Sequence, residues 1–239
     1  AGGGLYPPIQ LEMTDLREGA LAVAPRLDAV YPEYVSDLDL LVCPSAAHKL
    51  RGVDLLRDRG SLDRCYAYLG WVLDKCGESG PRMTVRELLD LIPLVDSSQY
   101  QGGLEGPRQF VLLCAAVARR TVLESVFTSR GILDVSRSVA DEDVSVGTSG
   151  VGNGSTGTIF RLKEGVERFA GLPQSGVWVM FDALSSDAGR FNHAVGGVNV
   201  LYMDGHVSFL RYPSEAPANK GMALFLGTLL DRHWLAEAE

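Results

Sequence analysis

The sequence predicts an α+β fold with a small antiparallel sheet, on three observations. Asp204-Gly205 lies between two apolar, β-prone runs, a strong hairpin signal over about 197–212. The segment "GPRQFVLLCAAVARRTVLESVFTSRG" has the length and apolar content of a long helix, with Pro107 near its start and Gly131 beyond its end. "DEDVSVGTSGVGNGSTG" reads as a loop. A glycine-rich loop (147–157) thus divides a helix-rich part (about 1–140) from a strand-rich part (about 158–213), and an amphipathic helix (about 219–237) follows.

The 239 residues, 46% hydrophobic and 22% charged, suit a single domain spanning 1–239 that buries a core without staples. A net charge of −8, with no basic run longer than Arg119-Arg120, excludes nucleic acid as the expected partner, because phosphate binding needs clustered cations. The longest apolar run, Phe110 to Ala118, falls short of the roughly 20 residues of a membrane helix.

Taken in order, residues 1–12 read as an extended entry rich in Gly and Pro. "MTDLREGALAVAPRLDAVYPEYV" reads as short helical pieces interrupted by Pro25 and Pro32. "SLDRCYAYLGWVLDKCG" fits either a strand or a short helix. Thr84 and Glu87 form a capping-box pattern, predicting a helix that ends before Pro93. The long helix should be largely buried through Ala118 and then narrow to a stripe at Val122, Val126 and Phe127. "TIFRLKEGVERF" looks helical, with Glu164 and Arg168 spaced as an ion pair, and "GVWVMFD" is a buried-type strand. In the last helix Met222, Phe225, Leu226, Leu229 and Leu230 share the apolar face.

A two-residue turn at Asp204-Gly205 pairs Met203 with His206, Tyr202 with Val207 and Val200 with Phe209. One face then carries Val198, Val200, Tyr202, Val207 and Phe209, directed at the core. The mixed face carries Asn199, Leu201, Met203, His206, Ser208 and Leu210.

Chemistry-bearing residues are few. His193, Asp204 and His206 are metal-ligating types, but their spacing enforces no convergence, so Asp204-Gly205 is expected to be structural, as are Gly196 and Gly197 before the first strand. "GNGSTG" matches a dinucleotide fingerprint, with Asp182 near where a ribose-binding acid is sought, yet "ADEDVSV" before it makes a poor buried parallel strand and the remaining chain is too short for the usual βα units, so a loop is expected. Asp182, Ser185 and Asp187, with Asp204 near in space, offer the oxygen ligands that calcium takes. Ser149 and Ser175 lack a nucleophile elbow, His48 and His233 stand alone, and "DED" at 141–143 reads as a solvated face. No catalytic residue is assigned. Cys43, Cys65, Cys76 and Cys114 lack metal-ligand spacing and allow disulfides or buried thiols.

The segment "FNHAVGGVNVLYMDGHVSFLRYP" resembles the C-terminal signature of prepilin-type, pseudopilin-like proteins carrying the H-X9-DG processing-associated domain, found in planctomycete- and verrucomicrobia-type bacteria. "VYPEYVSDLDLLVCPS", "TIFRLKEGVERF" and "VWVMFDAL" look like further blocks of that family in the same order. Ten residues separate His193 from Asp204, one more than the family name states. The resemblance implies a type IV pilin-like head whose N-terminal helix is missing. It implies export to the periplasm or cell surface, membrane attachment only through that helix, and other pilin-like subunits as partners in a filament or type II secretion-like assembly. It favours disulfides among the four cysteines and, by analogy with calcium-holding pseudopilins, an ion at Asp182 and Asp187. The expected function is that of a non-catalytic subunit. The alternatives are an exported module binding a glycan or envelope component through Tyr66, Tyr68 and Trp71, and a metal-dependent hydrolase using His193, Asp204 and His206.

Overall fold

The computed structural model describes residues 4–14, 19–46, 50–93, 95–100, 102–147, 149–186, 191 and 196–235. Helices and small antiparallel sheets are mixed along the chain, as the α+β expectation requires.

The entry is more β-rich than the sequence predicts. Strand β1 (Ile9–Met13) pairs antiparallel with β2 (Gly19–Pro25), where helical pieces were expected. The Ala-rich β2 has helical propensity, but tertiary context overrides it: Asp63 accepts the Val23 amide at 2.7 Å, and the Gln10 side chain accepts the Leu27 amide at 3.0 Å. Helix α1 (Leu27–Val30) is a single turn. Short 3₁₀ turns follow at Leu38–Leu41, Gly52–Leu56 and Arg59–Arg64. The ambiguous "SLDRCYAYLGWVLDKCG" becomes a strand at β3 (Tyr66–Tyr68).

Strand β4 (Arg82–Thr84) leads into α2 (Val85–Asp90), whose capping box is formed: Thr84 Oγ1 accepts the Glu87 amide, and Glu87 accepts the Thr84 amide at 2.7 Å. Strand β5 (Glu105–Pro107) pairs with β4 and opens α3 (Arg108–Phe127). Phe110, Val111, Leu113 and Ala115 of α3 are buried, as expected, but Val126 and Phe127 emerge into solvent and the predicted stripe is lost there. Helix α4 (Ile132–Val139) packs back on β1.

Strands β6 (Val144–Ser145) and β7 (Thr158–Ile159) pair to form the stem that closes the glycine-rich loop. The block after β7 is extended rather than helical, bridging Arg161 to Trp71 and Lys163 to Leu5. Helix α5 (Val166–Ala170) starts only after Gly165 at φ +79°, so Glu164 and Arg168 do not share a helix face; Arg168 instead lies 3.8 Å from Glu167. The acids at 141–143 are exposed, as a solvated face should be, and two of them also clamp this block. Asp141 reaches the buried guanidinium of Arg161 at 3.0 Å, and Asp143 takes the Arg161 amide and the Lys163 ammonium.

The main sheet has the order β10-β9-β8-β3, all antiparallel, from β8 (Trp178–Asp182), β9 (Gly197–Tyr202) and β10 (Val207–Arg211). Helix α6 (Lys220–Leu235) buries Met222, Phe225 and Leu226, and Phe225 meets Phe110 edge-on with centroids 5.1 Å apart. The side chains of Leu229 and Leu230 lie outside the described residues.

Candidate functional site

The Asp-Gly reversal is present, but it is one residue longer than the sequence predicts. Gly205 N–H donates to the Tyr202 carbonyl at 2.9 Å, and Tyr202 N–H donates to the His206 carbonyl at 3.0 Å. Gly205 itself is left-handed at φ +87°. This is a three-residue loop, Met203 to Gly205, closed by a glycine bulge. Asp204 favours it by accepting the His206 amide at 3.1 Å, and its carboxylate lies 2.5 Å from His206 Nδ1. That contact holds the Asp204 carboxyl below its ordinary range. The His206 ring stacks on Tyr202 with centroids 4.3 Å apart.

One added loop residue exchanges the two faces of β10. The register is Val207 opposite Leu201, Ser208 opposite Val200, Phe209 opposite Asn199 and Leu210 opposite Val198. Val198 and Val200 face the core as expected, joined by Ser208 and Leu210. Val207 and Phe209, predicted inward, are 60% and 49% exposed.

The same register fixes the hydrogen bonding. Tyr212 N–H donates to the Gly196 carbonyl at 2.7 Å, so with the Tyr202–His206 bond the even-numbered residues of β10 face β9. Val207, Phe209 and Arg211 therefore direct their backbone groups away from β9, where no further strand pairs among the described residues. The Asp204-Gly205 hairpin is an edge with apolar side chains on its solvent face.

Among the described residues, the other predicted site residues do not converge. Asp182 is buried at the end of β8, and its Oδ2 accepts both the Asn199 amide at 2.7 Å and the Asn199 side chain at 3.0 Å, clipping β8 to β9. Trp178 lies opposite Tyr202 at the turn end of the sheet, and Asp182 is four residues, roughly 13 Å, away along β8, so Asp204 does not join Asp182 and the buried Ser185 around one calcium ion. Asp187 and His193 lie outside the described residues. Gly196, left-handed at φ +73°, sits at the end of β9 away from the turn, whereas Asp204 and His206 are at the turn itself. Gly197 is required by close approach, since a Cβ there would lie 2.4 Å from the Phe209 ring. Among the described residues no three His, Cys, Asp or Glu side chains are grouped as for a metal.

Trp71 and Tyr68 are buried, Trp71 Nε1 donating to the Glu142 carbonyl and Tyr68 to the Pro7 carbonyl, so with Tyr66 they form no exposed aromatic platform. All four cysteines are thiols: Cys43, Cys65 and Cys76 are buried and Cys114 is half-buried, and the disulfides favoured by the resemblance are not formed. Burial pushes Cys76 up and Cys114 to about 12, which leaves both thiols inert at neutral pH. A groove of about 380 Å³ lined by Tyr31, Asp37, Asp39 and Arg51 has its charged groups engaged internally: Asp37 caps the Asp39 amide, Asp39 accepts the Gly52 amide and Arg51 pairs with Asp54.

Sequence reasoning missed a polar knot around the glycine-rich loop. Asp74 accepts from the Gln109 side chain at 2.7 Å, the Asn153 side chain at 2.8 Å and the Gly154 amide at 3.0 Å, with Gln109 and Asn153 buried. The available signals were Gln109 beside the apolar run of α3 and Asn153 among glycines. Because a strand rather than a helix follows the loop, the dinucleotide fingerprint lacks its structural context. Asp182 belongs to the sheet clip instead.

No protein-family model, no curated protein and no solved structure matches the chain. No helix of the described residues is long and apolar enough to cross a membrane.

Proposed function

We propose that the chain is the head of an exported, pilin-like assembly subunit, working through protein–protein contact at the periplasm or cell surface rather than through catalysis. The observation that carries this reading is the open edge of the signature hairpin. Among the described residues, β10 offers backbone groups with no partner strand at Val207, Phe209 and Arg211, and beside them Val207 and Phe209 expose apolar side chains. Such an edge invites pairing with another chain. The ordered sequence blocks that resemble pseudopilin-like proteins name the partner class: further copies of this chain or related subunits.

The test is a photoreactive phenylalanine analogue at position 209, introduced in the producing bacterium, with the exposed Arg57 position as control. Adducts between position 209 and another pilin-like subunit, in excess over position 57, are expected. Equal labelling at the two positions contradicts the proposal.

A further inference from the structure

The glycine-rich loop carries a second feature, independent of the assembly reading. Lys75 Nζ donates to the carbonyls of Gly150 at 2.7 Å, of Gly152 at 2.6 Å and of Gly154. An ammonium has three N–H donors, and here each meets a backbone carbonyl of alternate residues in one loop. Left-handed φ at Gly150 (+83°) and Gly154 (+58°) lets these carbonyls turn toward one point. Gly152 between them admits no side chain, because a Cβ would lie 2.2 Å from the Thr158 amide nitrogen.

The loop's amides are used elsewhere. Gly150 and Gly152 donate to the Thr156 carbonyl, Asn153 donates to the Thr158 carbonyl and Gly154 donates to Asp74. A phosphate-binding glycine loop aims N–H groups at its ligand. This loop aims carbonyls, so the ligand it suits has the opposite sign. Asp74 is occupied by amide donors, so the oxygens facing the ammonium are neutral. Neutral carbonyl rings are the ligand set of ammonium or potassium, whereas divalent ions draw on carboxylates.

We propose that residues 150–154 form a monovalent-cation cage whose resident cation is the tethered ammonium of Lys75, and that this ammonium holds the loop in its ordered form. Removing the tether should leave a cage that free ammonium fills. The experiment compares melting of the wild-type chain, Lys75→Ala and Lys75→Met in ammonium chloride and in tetramethylammonium chloride of equal ionic strength; tetramethylammonium is too large and has no N–H to donate. Both variants should melt below wild type in tetramethylammonium, and ammonium should restore at least about half of the loss while leaving wild type unchanged. For a variant that does not fold in tetramethylammonium, refolding yield in ammonium replaces the melt as the readout. Variants as stable as wild type, or rescue no greater with ammonium than with tetramethylammonium, would overturn the proposal.

Discussion

Arg161 shows what one side chain does in this fold. Its guanidinium is 1% exposed and donates to the Gly70 carbonyl at 2.6 Å, the Tyr6 carbonyl at 2.8 Å and Asp141 at 3.0 Å. It ties the entry segment, the end of the β3 ladder and the stem of the glycine-rich loop together at a single point. Removing it takes the guanidinium donor from the Tyr6 carbonyl and leaves the Gly70 carbonyl with only the Leu162 amide, and a methionine of similar length replaces only the packing. Arg161→Met should therefore cost about 2 kcal/mol, read as a lower urea midpoint with an unchanged slope. A shift within the error of the midpoint would refute this role. Nothing local in "TIFRLKEGVERF" sets Arg161 apart from a surface arginine, because its partners are brought from far along the chain.

At the scale of elements, β1 is held to its neighbours by a buried carboxylate. Glu12 accepts from Arg137 of α4 and from Arg59 at 3.0 Å, with Gln10 donating alongside. Burial pushes its carboxyl up, but the hydrogen bonds and charges of Arg137, Gln10 and Arg59 outweigh burial and set it below the ordinary 4.5. A depressed carboxyl stabilises the fold above the unfolded-state value, and that contribution fades as pH falls through the folded-state value. Glu12→Gln should melt lower than wild type at pH 7, by about 1–2 kcal/mol of stability, and the gap should narrow on acidification below pH 4.5. Thermal melts across that range check the sign; a gap that widens in acid refutes it. Elements were legible where the signal was local. The Thr84–Glu87 box and the burial of early α3 depend on neighbours within a turn or two. The β1–β2 ladder was not legible, because Asp63, about forty residues farther along, holds β2 from outside the ladder's own sequence.

At the scale of the whole molecule, the sheet class and the hairpin were readable from alternation and from Asp204-Gly205, while the direction each β10 side chain faces was not. That direction hangs on one loop residue, and Asp-Gly serves a two-residue turn and a three-residue bulged turn equally well. The consequence is functional: the shorter turn would hide Val207 and Phe209, and the observed one presents them along an unpaired edge. Residue-resolved amide exchange on the isolated chain tests this presentation most directly. Phe209 and Arg211 amides should exchange at least roughly a hundredfold faster than those of Leu210 and Tyr212, which point into the β9 ladder. Equal protection along all four residues would mean that the edge is covered, and would contradict the account.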